Sequence, residues 1–479
     1  MNLLSKVNEI VEERRDSFIA LSNRIWEYAE TKFEEHQSAE VICKLLEQEG
    51  FRVQRNVAGI RTAFTASYGS GNPIIGLLGE FDALPGLSQR EAAAYYEPII
   101  EGGNGHGCGH NLLGVAPLAA VIAIKQIMKE QGLSGTIRYF GCPAEEGGSG
   151  KTFMVRDGAF KDVDCALTWH PASYSSVFSC STLANYQVYF SFKGKASHAS
   201  SSPHLGRSAL DAVELMNVGV NYLREHIIPE ARIHYAITNP GGASANVVQG
   251  EAEVQYLIRA PQINEVKAIY ERVLKIAQGA ALMTETEMIV TFDKGCSNFV
   301  PNHALGMVLN QHLQAVGLPA YEEAEHRFAM SMGETITKLD REAAVNEISK
   351  LTGQQPKRIV KKLGRFPFFS DVFSFVESNQ LIYFSTDVGD VSWVVPTAQF
   401  FGASFVAGTQ LHSWQLVSQG KTSIAHKGML QAAKVLALAA LDLLLNPDIV
   451  EQAKEELQEV TEGIYQSPIP LHIKPSAVK

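Results

Sequence analysis

The sequence predicts a two-domain protein: a mixed, largely parallel α/β sheet domain with helices on both faces, interrupted by a small ferredoxin-like α+β domain. Three observations carry this. Short continuous apolar runs alternate with helical patterns between residues 74 and 170, as in a sheet buried on both faces. From residue 184 to 296 the texture changes to half-exposed strands in the order β-α-β-β-α-β. Buried-strand texture then returns late in the chain. The middle unit therefore reads as an insertion, with residues 1–183 and 297–479 forming one domain and 184–296 the other. A chain of 479 residues is long for a single domain, which agrees.

In chain order, MNLLSKVNEIVEERRDSFIALSNRIWEYAE is amphipathic and charged throughout, the mark of a surface helix and not of a signal peptide. A second helix near SAEVICKLLEQEG stops at Gly50. NPIIGLLGEFDALPG reads as a buried strand running out through Glu80 and Asp82 into a Pro-Gly turn. The glycine-rich GGNGHGCGHNLLG, residues 102 to 114, leads into a helix over LLGVAPLAAVIAIKQIMKEQG. GTIRYFGCP is a further buried strand, ending at Glu145 and Glu146, and DCALTWHP another, ending at His170. In the insertion, NYQVYFSFKGKASHA alternates, with Val188, Phe190 and Phe192 on one face. A helix from Arg207 towards Glu225 follows. Strands at IHYAITN and EAEVQYLIRA, a helix over INEVKAIYERVLKIAQGAALM and a strand at EMIVTFDKG complete the unit. Residues 318–370 are charged and helical in pattern. Strands are expected at LIYFSTDVGDVSWVVP and FVAGTQLHSW. The run from Gly428, GMLQAAKVLALAALDLLL, is broken by Lys434 and Asp442 and reads as a buried helix, not a membrane span.

With 46% hydrophobic and 19% charged residues the composition is that of an ordinary globular protein. A formal charge of −10 argues against nucleic-acid or anionic-membrane partners. Six cysteines without regular spacing give no disulfide framework, and a reducing cytoplasm is the expected setting.

The chemistry converges on strand ends. Cys108 and His110 stand two apart among glycines, and a thiolate and an imidazole are both good ligands for zinc and related divalent ions. Taken alone, the stretch would be a glycine-rich turn with a small buried cysteine. Taken singly, His170 would be an ordinary hydrogen-bonded histidine, and Glu145–Glu146 a solvated acidic loop. Together with Asp82, however, these residues gather at the carboxyl ends of buried strands, where open α/β sheets bind ligands. Adjacent glutamates on a turning backbone point different ways, so one carboxylate can hold a metal while its neighbour handles protons. A divalent ion lowers the pKa of water towards neutrality, and a free carboxylate beside it can take the proton and pass it to a leaving amine. His198, after the insertion's first strand, reads as a surface histidine or as a donor to a carbonyl oxygen gaining charge. His412 and His426 are both candidates for a last ligand.

The motifs GEFDALPGLSQ, NGHGCGHNLLG, GCPAEEGGSGKTFMV, ALTWHP, SPHLGRSALDAV, STDVGDVSWVVP and LHSWQLVSQGKTSIAHKGML resemble the aminoacylase and carboxypeptidase-type superfamily of two-metal amidohydrolases. The branch holding p-aminobenzoyl-glutamate hydrolase and β-alanyl-lysine dipeptidase fits best, over essentially the whole chain and least over 318–370. The resemblance implies two divalent ions, zinc or manganese, in a cleft between a catalytic domain and a lid. By position it implies Cys108, His110, Glu146, His170 and His412 as metal ligands. It makes Glu145 general base and then acid, and Asp82 the residue that orients the metal site. His412 is preferred to His426 because LHSW occupies the family's place for the last histidine. The lid would form the dimer, with His198 reaching into the partner's site and Asn246 and Arg259 holding the substrate carboxylate. Many relatives carry histidine where Glu80 stands, and auxin-conjugate hydrolases read CGHDGH where Asn111 and two leucines follow His110 here. Both departures point to the folate-fragment and dipeptide branch.

The resulting expectation is a metallo-amidohydrolase that cuts p-aminobenzoyl-glutamate or a similar N-acyl amino acid. The alternatives are a dipeptidase acting on β-alanyl or basic dipeptides, and a non-catalytic subunit of a heteromeric hydrolase. A homodimer and a heterodimer with a homologous subunit are both compatible with the chain.

Overall fold

The computed structural model describes residues 2–363, 367–378 and 380–477, so residues 364–366 of the 318–370 stretch lie outside the description. Eleven strands among the described residues form two sheets. In chain order they are β1 (Arg52–Arg55), β2 (Phe64–Ser70), β3 (Ile74–Glu80), β4 (Gly135–Cys142), β5 (Cys165–Ala172), β6 (Ser176–Phe178), β7 (Ala184–Lys193), β8 (Arg232–Asn239), β9 (Glu251–Ala260), β10 (Glu287–Cys296) and β11 (Thr397–Ala403). The larger sheet runs β1-β2-β4-β3-β5-β11-β6. Its four central strands, β4, β3, β5 and β11, are parallel, and β1, β2 and β6 pair antiparallel at its flanks. Continuous apolar runs marked the central strands because both their faces are covered. The flanking strands lack that texture, and β1 and β2 were not expected from the sequence.

Two long helices, His110–Gln131 and Ser423–Leu445, pass the length and hydropathy test for a membrane span, but 89% and 83% of their apolar windows are buried inside the fold. The charges that interrupt the second are matched: Lys434 Nζ donates to Glu12 Oε1 at 2.7 Å, and His312 Nε2 lies 2.9 Å from Asp442. The first helix sits close on β3 because two glycines allow it. A Cβ on Gly114 would stand 2.7 Å from the Glu80 carbonyl oxygen, and one on Gly79 would stand 2.2 Å from the Tyr139 hydroxyl. That hydroxyl donates to the Gly114 carbonyl at 2.9 Å.

Three local expectations are corrected. The N-terminal helix is two helices, Leu3–Glu13 and Arg15–Tyr28, divided at Arg14, whose ψ is 7°. LIYFSTDVGDVSWVVP is not a strand but a loop followed by the helix Val388–Val394. Val388, Val391 and Val395 are buried together, a spacing of three and four that fits a helix. FVAGTQLHSW is a loop, and the buried strand of this region is instead TAQFFGA, β11.

The smaller sheet is antiparallel in the order β10-β7-β9-β8. Helices Ala209–Leu223 and Ile263–Thr284 cover one face, burying Val188, Phe190 and Phe192 completely. The other face meets the carboxyl edge of the large sheet. Lys32 Nζ lies 3.0 Å from Asp293, Lys294 Nζ donates to the Glu146 carbonyl at 3.0 Å, and Arg259 Nη1 donates to Ser385 Oγ at 2.9 Å.

The glycine contacts give a paired prediction. Gly114→Ala should destabilise by about 1–3 kcal/mol, because the strand backbone facing it cannot retreat. Gly279→Ala, in a helix on the smaller sheet with open space around it, should be neutral or stabilise by up to ~1 kcal/mol. Thermal unfolding of both variants checks this, and equal midpoints for the two would contradict it.

Candidate metal centre

β3 delivers Glu80 and Asp82 to the site, with Phe81 between them fully buried. The chain returns through residues 102–109 and places Cys108 and His110 on either side of Gly109. That glycine has φ 76° and a position where a Cβ would lie 2.8 Å from Pro171. Glycine alone tolerates both conditions comfortably. Cys108 Sγ ends 3.3 Å from His170 Nε2, at the far end of β5. After β4, Ala144 adopts φ 58° and starts a one-turn helix, Glu145–Gly148. Its N–H donates to Glu35 Oε1 at 2.9 Å. Burial, with Asp82 nearby, pushes the Glu35 carboxyl up to about 8. The last contribution comes from the 405–413 loop, where His412, at φ 59°, donates its N–H to the Gly107 carbonyl at 2.7 Å. His412 Nε2 lies 3.2 Å from Glu146 Oε2.

Asp82 joins these pieces. One carboxylate oxygen pairs with His110 Nδ1 at 2.8 Å and the other accepts the Glu146 N–H at 2.9 Å. With Nδ1–H donating to Asp82, Nε2 of His110 faces the site and would offer its lone pair to a metal once its proton is displaced. His170 is oriented the same way by its own Nδ1 contact, 2.8 Å to the Pro171 carbonyl.

The donor atoms fall into two groups, Cys108–His110–His170 and Cys108–Glu146–His412, each with its atoms within 4.8 Å of one another and with Cys108 in common. His110 Nε2 and Glu146 Oε1 are buried without a hydrogen-bond partner. Such atoms are costly unless something binds them, and a thiolate, imidazole and carboxylate set suits divalent metal. The residues therefore fit a pair of metal ions. Glu80, His110 and Glu145 form a third close group beside the first.

Against burial, the charges of Asp82 and Cys108 hold His110 well above the imidazole range, and hydrogen bonds to Cys108 and Glu146 raise His412 to about 11, so a bound cation would displace both protons. Burial, then the neighbouring charge of His110, lowers His170 to about 4, so its imidazole is neutral as a ligand must be. Burial would raise Glu146, but hydrogen bonding to His412 and the charges of His110 and His412 hold it at about 2. Burial, with Glu146 beside it, pushes the Cys108 thiol up, so a cation is what would make it a thiolate. Glu145 is held well above the usual carboxylate range by burial and then by the charges of Glu80, Asp387 and Glu146. One buried cation answers those charges: Lys151 Nζ, with no exposed surface, lies 2.6 Å from both Glu80 and Asp387.

A cavity of about 360 Å³ opens above these groups. Its floor is Cys108, Glu145, Glu146, His170 and His412, the smaller sheet contributes Asn185 and Arg259, and Phe384, Phe401 and Glu347 form another wall. Arg259, expected to hold a substrate carboxylate, is thus in the cavity. Asn246 is not. It is exposed on the loop between β8 and β9, where its carbonyl accepts the Ala199 N–H at 2.9 Å, so within one chain it cannot hold a carboxylate bound at this site. His198 is exposed beside it, its Nδ1 accepting the Ser201 N–H at 3.2 Å. His426 is also outside the cavity, 2.8 Å from Asn23 Oδ1, and lowered to about 4 by burial. Lys151, Asp387 and Glu347 were not anticipated from the sequence. Lys151 stands inside a quoted motif, but nothing local marks it as fully buried.

Residues 76–383 match the Peptidase family M20/M25/M40. The chain is 50% identical over 474 residues to a subunit of p-aminobenzoyl-glutamate hydrolase from Escherichia coli (strain K12), covering 99% of this chain and 98% of the relative. It is 26% identical to the Xaa-Arg dipeptidase of Mus musculus, over 95% of this chain and 92% of that one. Among solved structures, an aminobenzoyl-glutamate utilization protein from Klebsiella pneumoniae superposes with a TM-score of 0.58 at 15% identity, over 90% of this chain and 98% of the other, a likeness of fold. The chain belongs to the peptidase family M20/M25/M40.

Proposed function

We propose that the two donor groups hold two divalent ions with Cys108 shared between them. On this reading the protein hydrolyses the amide bond of p-aminobenzoyl-glutamate or a similar N-acyl amino acid. The observation that carries it is the pair of three-donor groups meeting at one thiol, with Glu145 alongside. Identity of 50% to a chain of p-aminobenzoyl-glutamate hydrolase supports the substrate. Bound there, the ions would polarise the substrate carbonyl, acidify water, and offset the carboxylate charges that hold Glu145 up.

The chain's own residues do the rest. Glu145 accepts the proton from water and returns it to the leaving nitrogen. Asp82 fixes the His110 tautomer and, through the Glu146 N–H, the direction of the Glu pair. Arg259 meets the substrate carboxylate with its planar fork. The exposed pair His198 and Asn246 is assigned to the site of a partner chain, either a second copy or a homologous subunit. The word subunit in the Escherichia coli relative's name supports such an assembly. The soft sulfur donor favours zinc, with manganese the other metal to test. A shared free thiol suits the reducing cytoplasm. A dipeptidase is the weaker reading, since the relative bearing that name is 26% identical. A non-catalytic subunit is weaker still, since every proposed donor and Glu145 are present in this one chain.

Three outcomes are expected. After chelation, added zinc or manganese should restore release of p-aminobenzoate from p-aminobenzoyl-glutamate, measured chromatographically. Failure with both metals, by the chain alone and with a homologous subunit, would sink the assignment. Glu145→Gln should keep its metal content while losing roughly 10²–10⁴-fold in kcat; near-full activity would remove Glu145 from its role. Elemental analysis should find both ions reduced in Cys108→Ala but only one in His412→Ala or His170→Ala. Loss of a single ion in Cys108→Ala would show that the thiol is not shared.

A further inference from the structure

The far wall of the cavity contains a carboxylate that the hydrolysis does not use. Glu347 lies on the helix Lys338–Thr352, within the stretch of sequence that was otherwise uninformative. A row of aromatic rings connects it to the metal centre. The His170 and Phe401 ring centroids are 6.1 Å apart, those of Phe401 and Tyr174 are 5.4 Å apart, and Tyr174 OH donates to Glu347 Oε1 at 2.7 Å. Phe178 and Phe384 stack at 5.8 Å behind this row. Among the described residues the Tyr174 hydroxyl is the hydrogen-bond donor to Glu347, and Lys350 acts on it through its charge without an ion pair. The nearby Lys350 instead holds its ammonium 5.3 Å from the Tyr383 ring centroid. Glu347 is half-buried and lines the cavity, so its second carboxylate oxygen is left to solvent or to a ligand bound there. Burial pushes this carboxyl up, and the Tyr174 hydroxyl pulls it back only in part.

We propose that Glu347 is a specificity residue of the acyl subsite, accepting a hydrogen bond from an amino group at the far end of a flat aromatic acyl group. The proposal rests on the amidohydrolase reading above and deepens it. With the scissile carbonyl at the His170 end, an aromatic acyl ring lies along Phe401 and a para substituent points towards Tyr174 and Glu347. Rings line the path, which favours a ring over a flexible aliphatic amine. The single acceptor at its end favours a donor over a hydrogen or a carboxylate.

The test compares kcat/KM for p-aminobenzoyl-glutamate and benzoyl-glutamate, which differ only in that amino group. The parent protein, in its active assembly with metal restored, should prefer the amino compound by about tenfold or more, the worth of a hydrogen bond to a charged acceptor. Glu347→Ala should bring the ratio close to one while leaving benzoyl-glutamate little changed, and Glu347→Gln should fall between. An unchanged ratio, or an equal fall on both substrates, would overturn the proposal, since a merely structural residue moves both together. Binding of the same two compounds to Glu145→Gln, with and without Glu347→Ala, does not depend on turnover. No hydrolysis by the parent defeats the reaction, whereas a binding ratio that Glu347→Ala leaves unmoved, or no binding at all, defeats the subsite. A parent that binds β-alanyl-lysine more tightly than either aromatic compound also overturns it.

Discussion

Asp82 is the residue on which the site depends. It sits just beyond the end of a buried parallel strand, almost without solvent exposure, and spends one carboxylate oxygen on His110 and the other on the backbone of Glu146. Those two contacts tie three separate stretches together: the end of β3, the glycine-rich turn before the long helix, and the turn after β4. A buried carboxylate satisfied in this way is rigid, because moving any partner would strand a charge in a low-dielectric interior. The geometry of the Cys108 groups follows from that rigidity. Histidine orientation, tautomer and the aim of the Glu145–Glu146 pair are set by contacts one layer behind the cavity.

Around that clamp the protein concentrates negative charge. Glu80, Asp82, Glu145, Glu146 and Asp387 all lie in or beside the site, and Lys151 is the buried cation that pairs with two of them. The remaining imbalance explains why burial and neighbouring carboxylates drive Glu145 so far up, and it is the kind of imbalance that bound divalent cations relieve. Lys151 and Asp387 also have an architectural role. The Lys151 N–H donates to Asp387 at 2.8 Å, and Thr152 Oγ1 donates to Asp390 at 2.6 Å, fastening the start of the helix Val388–Val394 to the helix Gly150–Arg156 that follows the glutamates.

The smaller domain contributes through strand alternation. Asn185, Arg259 and Cys296 occupy directly opposed positions on β7, β9 and β10, so they share the face that looks down on the large sheet. Their neighbours Tyr186 and Ile258 turn the other way, into the core between the smaller sheet and its helices. Period-two alternation thus produces a covered core and a polar roof from the same strands. The cavity between roof and floor is where the family's chemistry and the proposed acyl subsite meet.

Much of this was legible in the chain. Continuous apolar runs marked the central parallel strands, because burial on both faces leaves that texture. Alternation marked the inserted sheet, and glycine-bounded Cys108 and His110 stood out because such turns need glycine whatever surrounds them. The edge strand β1 and its neighbour β2 were missed because short strands rich in polar and small residues leave a weak pattern, and the valines of 388–395 were misassigned because short apolar runs do not declare their period. Of the two candidates for a last ligand, His412 faces Glu146 and His426 faces Asn23. The sequence by itself determined which residue types reach the ends of the central strands and the order of elements in the inserted sheet, since these depend on local pattern and periodicity. Only the tertiary structure decided that Cys108 belongs to both donor groups, that Lys151 is buried between two carboxylates and that Glu347 enters the cavity. Each of those depends on contacts between segments distant along the chain, and local pattern does not record them.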